Sequence, residues 1–164
     1  MTLAASSQEE RSKLDYQATV AYGYDHKVTG TQVKFSKFLD QDSLIGLKGG
    51  EGTHDGNEEE DTQTVFGLEY KYFTGNSFYL APEIYYLNYS ENDKTPTLFD
   101  NENETVKTVG LSFKIGNQWQ WSNFTMGVDW IGIGRNLFFF QRTDDLLTHN
   151  FTATFLNAYI GISF

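Results

Sequence analysis

The chain has 164 residues, with 12 Lys and Arg against 22 Asp and Glu, which gives a formal net charge of −10. This length suits one domain, and the lack of cysteine excludes a disulfide framework, a thiolate metal site and a cysteine nucleophile. The acidic balance argues against non-specific nucleic-acid binding, and no apolar run approaches the roughly 18 residues of a spanning helix.

The N-terminal segment, residues 1–13, is polar and holds no apolar signal-peptide core. Such a start fits either a protein that is not exported or a mature form with an added initiator Met, and the rest of the chain favours the second. We expect this segment to be a tail with at most a frayed helical turn, and we assign it no function.

Apolar and polar residues alternate with a period of two along the rest of the chain, and helical periodicity is nearly absent. The alternation predicts eight strands, at about residues 16–24, 31–39, 43–50, 63–73, 78–89, 105–119, 124–140 and 150–164. The connectors at 40–42, 74–77 and 120–123 are tight, those at 51–62, 90–104 and 141–149 are long, and 25–30 is intermediate. Tight turns therefore fall at one end of the sheet and long loops at the other.

This pattern predicts an all-β fold, an eight-stranded antiparallel up-and-down β-barrel over residues 14–164. One face of the strands is apolar, whereas the other combines glycine with Lys, Glu and Asp. That second face suits a narrow lumen better than a soluble exterior, so we expect the apolar face to meet lipid, where only a closed sheet is viable. The alternative is a soluble lipocalin-like carrier with an apolar interior.

Seven charged residues face the lumen if the alternation holds: Lys34, Lys48, Lys71, Lys114, Glu69, Glu83 and Asp129. Arg135 is an eighth candidate, but the run 130–134 shifts phase, and a β-bulge there would re-aim it. Buried charges are costly unless they are paired. We therefore expect an ion-pair network that closes the lumen, in which Glu69 and Glu83 bridge lysines and Glu69→Ala destabilises the fold.

Aromatic residues make up 16% of the chain and cluster at strand ends. The tight-turn end holds Tyr70, Tyr72, Trp119, Trp121, Phe124 and Phe164, and the long-loop end holds Tyr22, Tyr24 and Tyr86. Two aromatic girdles of this kind are typical of membrane barrels, although ordinary β-sandwich aromatics are the alternative.

The last strand carries the most specific pattern, in which Leu156, Ala158, Ile160, Ile162 and Phe164 form one face. With this ending, the chain resembles the small eight-stranded outer-membrane barrels of the OmpA, OmpX and opacity-protein type, in pattern rather than in long identity. The resemblance implies short periplasmic turns, a periplasmic tail at 1–13 and longer external loops. It also implies a monomer in the bacterial outer membrane, in contact with its lipids and lipopolysaccharide, whose last strand is read by the barrel assembly machinery.

The long loops are acidic, and the one at 51–61 carries six carboxylates without Lys or Arg. Carboxylates suit Ca²⁺ or Mg²⁺ and would let such ions bridge to lipopolysaccharide phosphates. The EF-hand spacing is missing, so a solvated, repulsive loop and a weak divalent-cation site are both open.

Catalysis finds little support, and we predict no enzyme and no cofactor. His26, His54 and His149 all fall in predicted external loops. The His-x-Ser pair of barrel lipid-A deacylases is missing, and no Ser lies beside His54 and Asp55 as in the acyltransferases. We expect a structural, surface-interaction or envelope-stability role, with a narrow ion or small-solute channel and a lipid-A modifying enzyme as alternatives.

Overall fold

The structure is a computed structural model that describes residues 3–26, 28–53, 62–91, 104–141 and 150–164. These residues form α1 Leu3–Arg11, β1 Tyr16–Asp25, β2 Val28–Asp40, β3 Ser43–Thr53, β4 Thr62–Phe73, β5 Phe78–Glu91, β6 Glu104–Trp121, β7 Phe124–Gln141 and β8 Phe151–Ser163. The acidic segment 54–61, with His54, and the segment 142–149, with His149, lie outside the described residues.

The strands form a closed antiparallel barrel, in which each strand pairs with its neighbours in sequence and β1 also pairs with β8. The predicted fold class is therefore confirmed. The clearest difference is at the first connector, because β2 begins at Val28 and not at residue 31. β1 and β2 are joined by a hairpin whose ladder continues to the pair Asp25 and Val28.

The barrel is inside out relative to a soluble protein. Large apolar side chains such as Leu47 and Ile133, which are 64% and 71% exposed, cover its outer surface. Charged side chains such as Lys114 and Asp129 are fully buried inside. This polarity follows from the period-two alternation, because successive side chains of a strand point to opposite faces. A lipocalin-like barrel, which needs an apolar interior, does not fit this arrangement.

A β-bulge interrupts the alternation in β7. Ile115 of β6 pairs with Ile131, while the next residue, Gly116, pairs with Asp129, so that Trp130 is the extra residue. As a result Trp130 and Ile131 both face outward, and residues 132–136 are shifted by one position relative to the earlier alternation. A second register shift, at Leu137, reverses the phase again, so that Leu137 and Phe138 both face outward.

β8 carries a matching irregularity at Leu156. Tyr22 of β1 pairs with Ala158 and Tyr24 with Phe155, so β8 has one residue more than β1 over this stretch. Leu156 adopts a left-handed backbone conformation with φ 49°, and both it and Phe155 point outward.

α1 lies in the barrel mouth at the tight-turn end, where the sequence predicted a tail without a structural role. Its Ser7 and Arg11 side chains are buried, and the helix packs against β6. No helix in the described part of the chain is both long and apolar enough to cross a membrane.

Candidate functional site: the charged barrel interior

Four lysines and four carboxylates meet inside the barrel. They are Lys34, Lys48, Lys71, Lys114, Asp25, Glu69, Glu83 and Asp129, and all are buried. Seven of them are the lumen residues expected from alternation, and Asp25 is the one that the sequence reasoning placed in a connector. The formal charges of these eight side chains sum to zero.

Lys114 is the centre of this network. Its Nζ lies 2.7 Å from Glu69 Oε2 and 2.7 Å from Glu83 Oε2. Glu69 also faces Lys34 at 3.5 Å and Lys71 at 3.8 Å. Each glutamate thus contacts more than one lysine, so that the loss of one carboxylate would leave several buried cations without their partner.

The long-loop end of the network is built on Asp25 and Lys48. Lys48 Nζ lies 2.5 Å from Asp25 Oδ2 and 2.6 Å from Glu83 Oε1. Gln32 and Thr154 also donate hydrogen bonds to the Asp25 carboxylate, at 2.8 and 2.5 Å. Asp25 is thus fully paired where β1 ends.

His26 belongs to the turn between β1 and β2, within the predicted connector 25–30, but its side chain lies inside the barrel and not, as had been expected, in an external loop. Its backbone has φ 53°, which turns the tip of the β1–β2 hairpin so that the ring enters the lumen. Its Nε2 lies 3.2 Å from Glu83 Oε1, and its ring is 4.1 Å from the Tyr85 ring. The imidazole therefore packs among the buried side chains of the long-loop half of the lumen.

The tight-turn half of the lumen is less charged. Lys71 Nζ donates to the Tyr159 hydroxyl at 2.9 Å and to Gln118 Oε1 at 3.2 Å. Tyr79 donates a short hydrogen bond to Asp129, which also accepts from Asn157. Below them lies an apolar cluster of buried side chains, formed by Phe38, Leu44, Phe73, Tyr79 and Ala81.

Three inward tyrosines cross the lumen, and each lies against a glycine. The pairs are Tyr79 with Gly116, Tyr85 with Gly110, and Tyr159 with Gly127. A Cβ atom at these glycines would come within 2.3–2.5 Å of the Tyr hydroxyl or its ring carbon. The glycines thus leave the space that the rings fill, and alternation alone could not reveal which glycine meets which tyrosine.

Arg11 closes the tight-turn mouth. Its guanidinium donates to the backbone carbonyls of Gln41 at 2.8 Å, Asn76 at 2.6 Å and Gly75 at 3.2 Å, and it lies 3.8 Å from the Phe73 ring centroid. Burial lowers the pKa of Arg11 to about 10, so the group remains protonated near neutral pH. No residue pattern could have predicted this role of Arg11, because backbone carbonyls exist at every residue.

Arg135 does not belong to the lumen network, and its inclusion there was wrong. The bulge at Trp130 reverses the phase of β7, so that Arg135 points outward and Asn136 inward. The guanidinium lies 5.9 Å from the centroid of the Phe151 ring on β8.

The aromatic residues proposed for the girdles all lie on the outer surface. Tyr22, Tyr70, Tyr72, Phe124 and Phe164 are exposed, and Tyr24, Tyr86, Trp119 and Trp121 are half-buried. The five residues of the terminal pattern, Leu156, Ala158, Ile160, Ile162 and Phe164, point outward as well. Their roles in a girdle and as an assembly signal stay predictions.

The part of the interior that the structure describes contains a small cavity. A cavity of about 10 Å³ between Asp25, Gln32, Gln63 and Val65, near the long-loop end, has room for roughly one water molecule. No group of three or more His, Cys, Asp or Glu side chains among the described residues could hold a metal ion. Among the described residues, buried side chains joined by ion pairs and hydrogen bonds thus occupy most of the lumen.

No protein-family model matches the chain, and no curated protein matches it in sequence. Among solved structures it is similar to Neisserial surface protein A (NspA), with 12% identity, a TM-score of 0.59, and coverage of 92% of this chain and 94% of that one. It is also similar to Ail, the attachment invasion locus protein of Yersinia pestis, with 10% identity, a TM-score of 0.49, and coverage of 92% and 95%. The match to NspA concerns the fold: the chain has the eight-stranded barrel fold of small outer-membrane proteins.

Proposed function

We propose that the protein is an integral β-barrel of the bacterial outer membrane, with α1 and the tight turns on the periplasmic side. The inverted polarity carries this proposal, since large apolar side chains are exposed on every strand while eight charged side chains of the strands are buried. Monomeric soluble proteins rarely expose contiguous apolar patches beyond a few hundred Å². The strands, from 10 residues in β1 to 18 in β6 and β7, reach the roughly 9–11 residues that cross a bilayer.

We assign this barrel a structural, surface-interaction or envelope-stability role rather than transport. The filled interior supports this choice, because ion pairs and three tyrosine rings occupy the lumen and Arg11 closes its mouth. A channel requires a continuous water path through the barrel. The side chains named above occupy the space of such a path and would have to move out of it. We expect no discrete conductance steps in a planar bilayer, and reproducible steps would overturn the closed-lumen proposal.

The partners on this proposal are the outer-membrane lipids, lipopolysaccharide and, during biogenesis, the assembly machinery. No nucleic-acid partner and no catalytic role are proposed. Among the described residues the only histidine, His26, is surrounded by lumen side chains and has no access to a substrate from outside. Most of the acidic segment at 51–61 lies outside the described residues, so the two interpretations given above stay predictions.

Membrane insertion can be tested with Trp130, an outward residue near the middle of β7. In the Trp119→Phe/Trp121→Phe background, lipids brominated midway along the acyl chain should quench most of the Trp130 fluorescence. The matched control keeps Trp121 alone, which lies at the tight-turn end and should be quenched best by bromines near the headgroup. Failure of both to respond, or solubility without detergent, would contradict insertion. A shift of the unboiled band on a gel reports the folded barrel.

A further inference from the structure

The bulge at Trp130 turns a cation toward the outside of the barrel. With unbroken alternation from Asp129, Arg135 would enter the lumen, where the four lysines and four carboxylates already balance. The bulge places it on the outer wall instead. Bulges are frequent where a side chain must be re-aimed for function, and this one directs a guanidinium away from a balanced interior.

The height of Arg135 on the barrel can be worked out from the strand. It follows Phe124, the first residue of β7, by eleven positions, one of which is the bulged Trp130. Ten rises of about 3.3 Å at a tilt of about 40° span roughly 25 Å along the axis, which is about the height of the apolar band of a membrane barrel. If Phe124 marks one edge of the band, Arg135 lies at the other, at the level of the headgroups on the loop side.

The surroundings of Arg135 are apolar on the membrane side and aromatic beside it. Ile131 and Ile133 are exposed directly below it on β7, and the Phe151 ring flanks it on β8. Exposed Phe138 continues the strand above. No carboxylate in the described part of the chain lies within 4 Å of the guanidinium, so its charge is not neutralised there.

We propose that this surface, which we call the Arg135 ridge and define as Ile131, Ile133, Arg135, Phe138 and Phe151, binds a phosphate-bearing lipid of the loop-side leaflet. Arg135 hydrogen-bonds the phosphate, since a guanidinium fork matches its oxygens. An acyl chain lies along Ile131 and Ile133. This proposal rests on the proposed function, because it needs the barrel in a membrane. On a chain with net charge −10, an outward cation at this level complements the charge of an anionic lipid.

The test uses the full-length folded barrel in a neutral detergent, with native mass spectrometry counting bound lipid. The probe is diphosphorylated lipid A, compared with the same lipid after removal of its phosphates. Wild type should retain the phosphorylated form, and Arg135→Gln should weaken its apparent Kd about tenfold, the size expected for a charge-assisted hydrogen bond. Arg135→Lys should fall between the two.

Lys37 supplies the matched control, because its ammonium also lies beside an exposed ring, 6.0 Å from that of Tyr16, but at the tight-turn end. Lys37→Gln should bind as wild type does. Equal binding by Arg135→Gln, or equal binding of the phosphate-free lipid, would overturn the proposal, as would displacement of the lipid by inorganic phosphate. If Arg135→Gln does not show the compact band of the folded barrel on an unboiled gel, the lipid binding of Arg135→Lys alone tests the proposal. A barrel that inserts but is insensitive to Arg135 refutes only this inference, whereas absence of insertion refutes the proposed function.

Discussion

The two halves of the barrel interior are filled by different chemistry. Toward the long loops, Asp25, Lys48, Glu83 and Lys114 form a chain of ion pairs. Toward the tight turns, apolar side chains around Leu44 pack together beneath the Arg11 cap. The lumen is thus closed by ion pairs in one half and by apolar packing in the other. Substitutions should destabilise the two halves in different ways. Apolar packing loses the contacts of the altered residue, whereas an ion network also leaves its remaining members uncompensated.

The largest effect should follow from breaking the ionic half. Glu69→Ala removes the carboxylate that faces Lys34, Lys71 and Lys114. Loss of one partner from a buried ion pair typically costs about 3–5 kcal/mol, so the free energy of unfolding should fall by that order. Urea unfolding of the barrel in lipid vesicles measures it. The control is Glu51→Ala, an exposed carboxylate, which should change little. A midpoint for Glu69→Ala equal to that of wild type would disprove the network.

The apolar half should respond to a cavity. Leu44 is buried in the cluster with Phe38 and Phe73, and Leu44→Ala should cost about 3 kcal/mol by lost burial and a residual void. Leu47→Ala, on the outward side of the same strand and 64% exposed, is the matched control and should cost clearly less. Similar losses in both variants would mean that the inner cluster is not packed as a core.

The tyrosines that cross both halves can be tested through their glycines. A Cβ at Gly110 would lie 2.3 Å from the Tyr85 ring, so Gly110→Ala should cost about 2 kcal/mol by overpacking. In a Tyr85→Leu background the same change should cost less, and a double-mutant cycle in urea gives the difference. Gly49→Ala is the control, because its Cβ would meet Phe66 at 3.4 Å. Additive effects of the two changes would argue against direct contact.

The barrel and most of its lumen residues could be predicted from the sequence, because alternation of apolar and polar residues is a local property that every strand repeats. Seven of the eight lumen charges, among them Lys34, Glu69 and Lys114, could be predicted by assigning alternate positions of each strand to the inner face. Glycine beside Lys and Glu also indicated a narrow interior. These inferences needed no knowledge of which strands meet, since facing inward is decided within each strand.

The features that the sequence analysis placed wrongly or did not predict have a different physical origin. Arg135 was misplaced because the bulged Trp130 reverses the inward and outward positions of residues 132–136. His26 was misplaced because a left-handed turn residue folds the hairpin tip into space that only the closed barrel defines. The docking of α1 depends on backbone carbonyls of distant turns, which leave no mark on composition. Each depends on tertiary geometry that a period-two pattern does not encode.

The smallest effect on global stability should come from the Arg11 cap. Arg11→Ala removes hydrogen bonds to Gln41, Gly75 and Asn76, whose carbonyls can turn to water at the open mouth. The barrel should therefore lose only about 1 kcal/mol, whereas amide hydrogen exchange in α1 should accelerate strongly, since Arg11 is the largest buried side chain among those described in the helix. Lys13→Ala, which breaks only the exposed pair with Glu10, should leave exchange in α1 unchanged. If α1 stayed protected without Arg11, the side-chain contacts of Ser7 and Gln8 would be holding it, and the tight-turn mouth would be closed by several side chains of the helix rather than by one guanidinium.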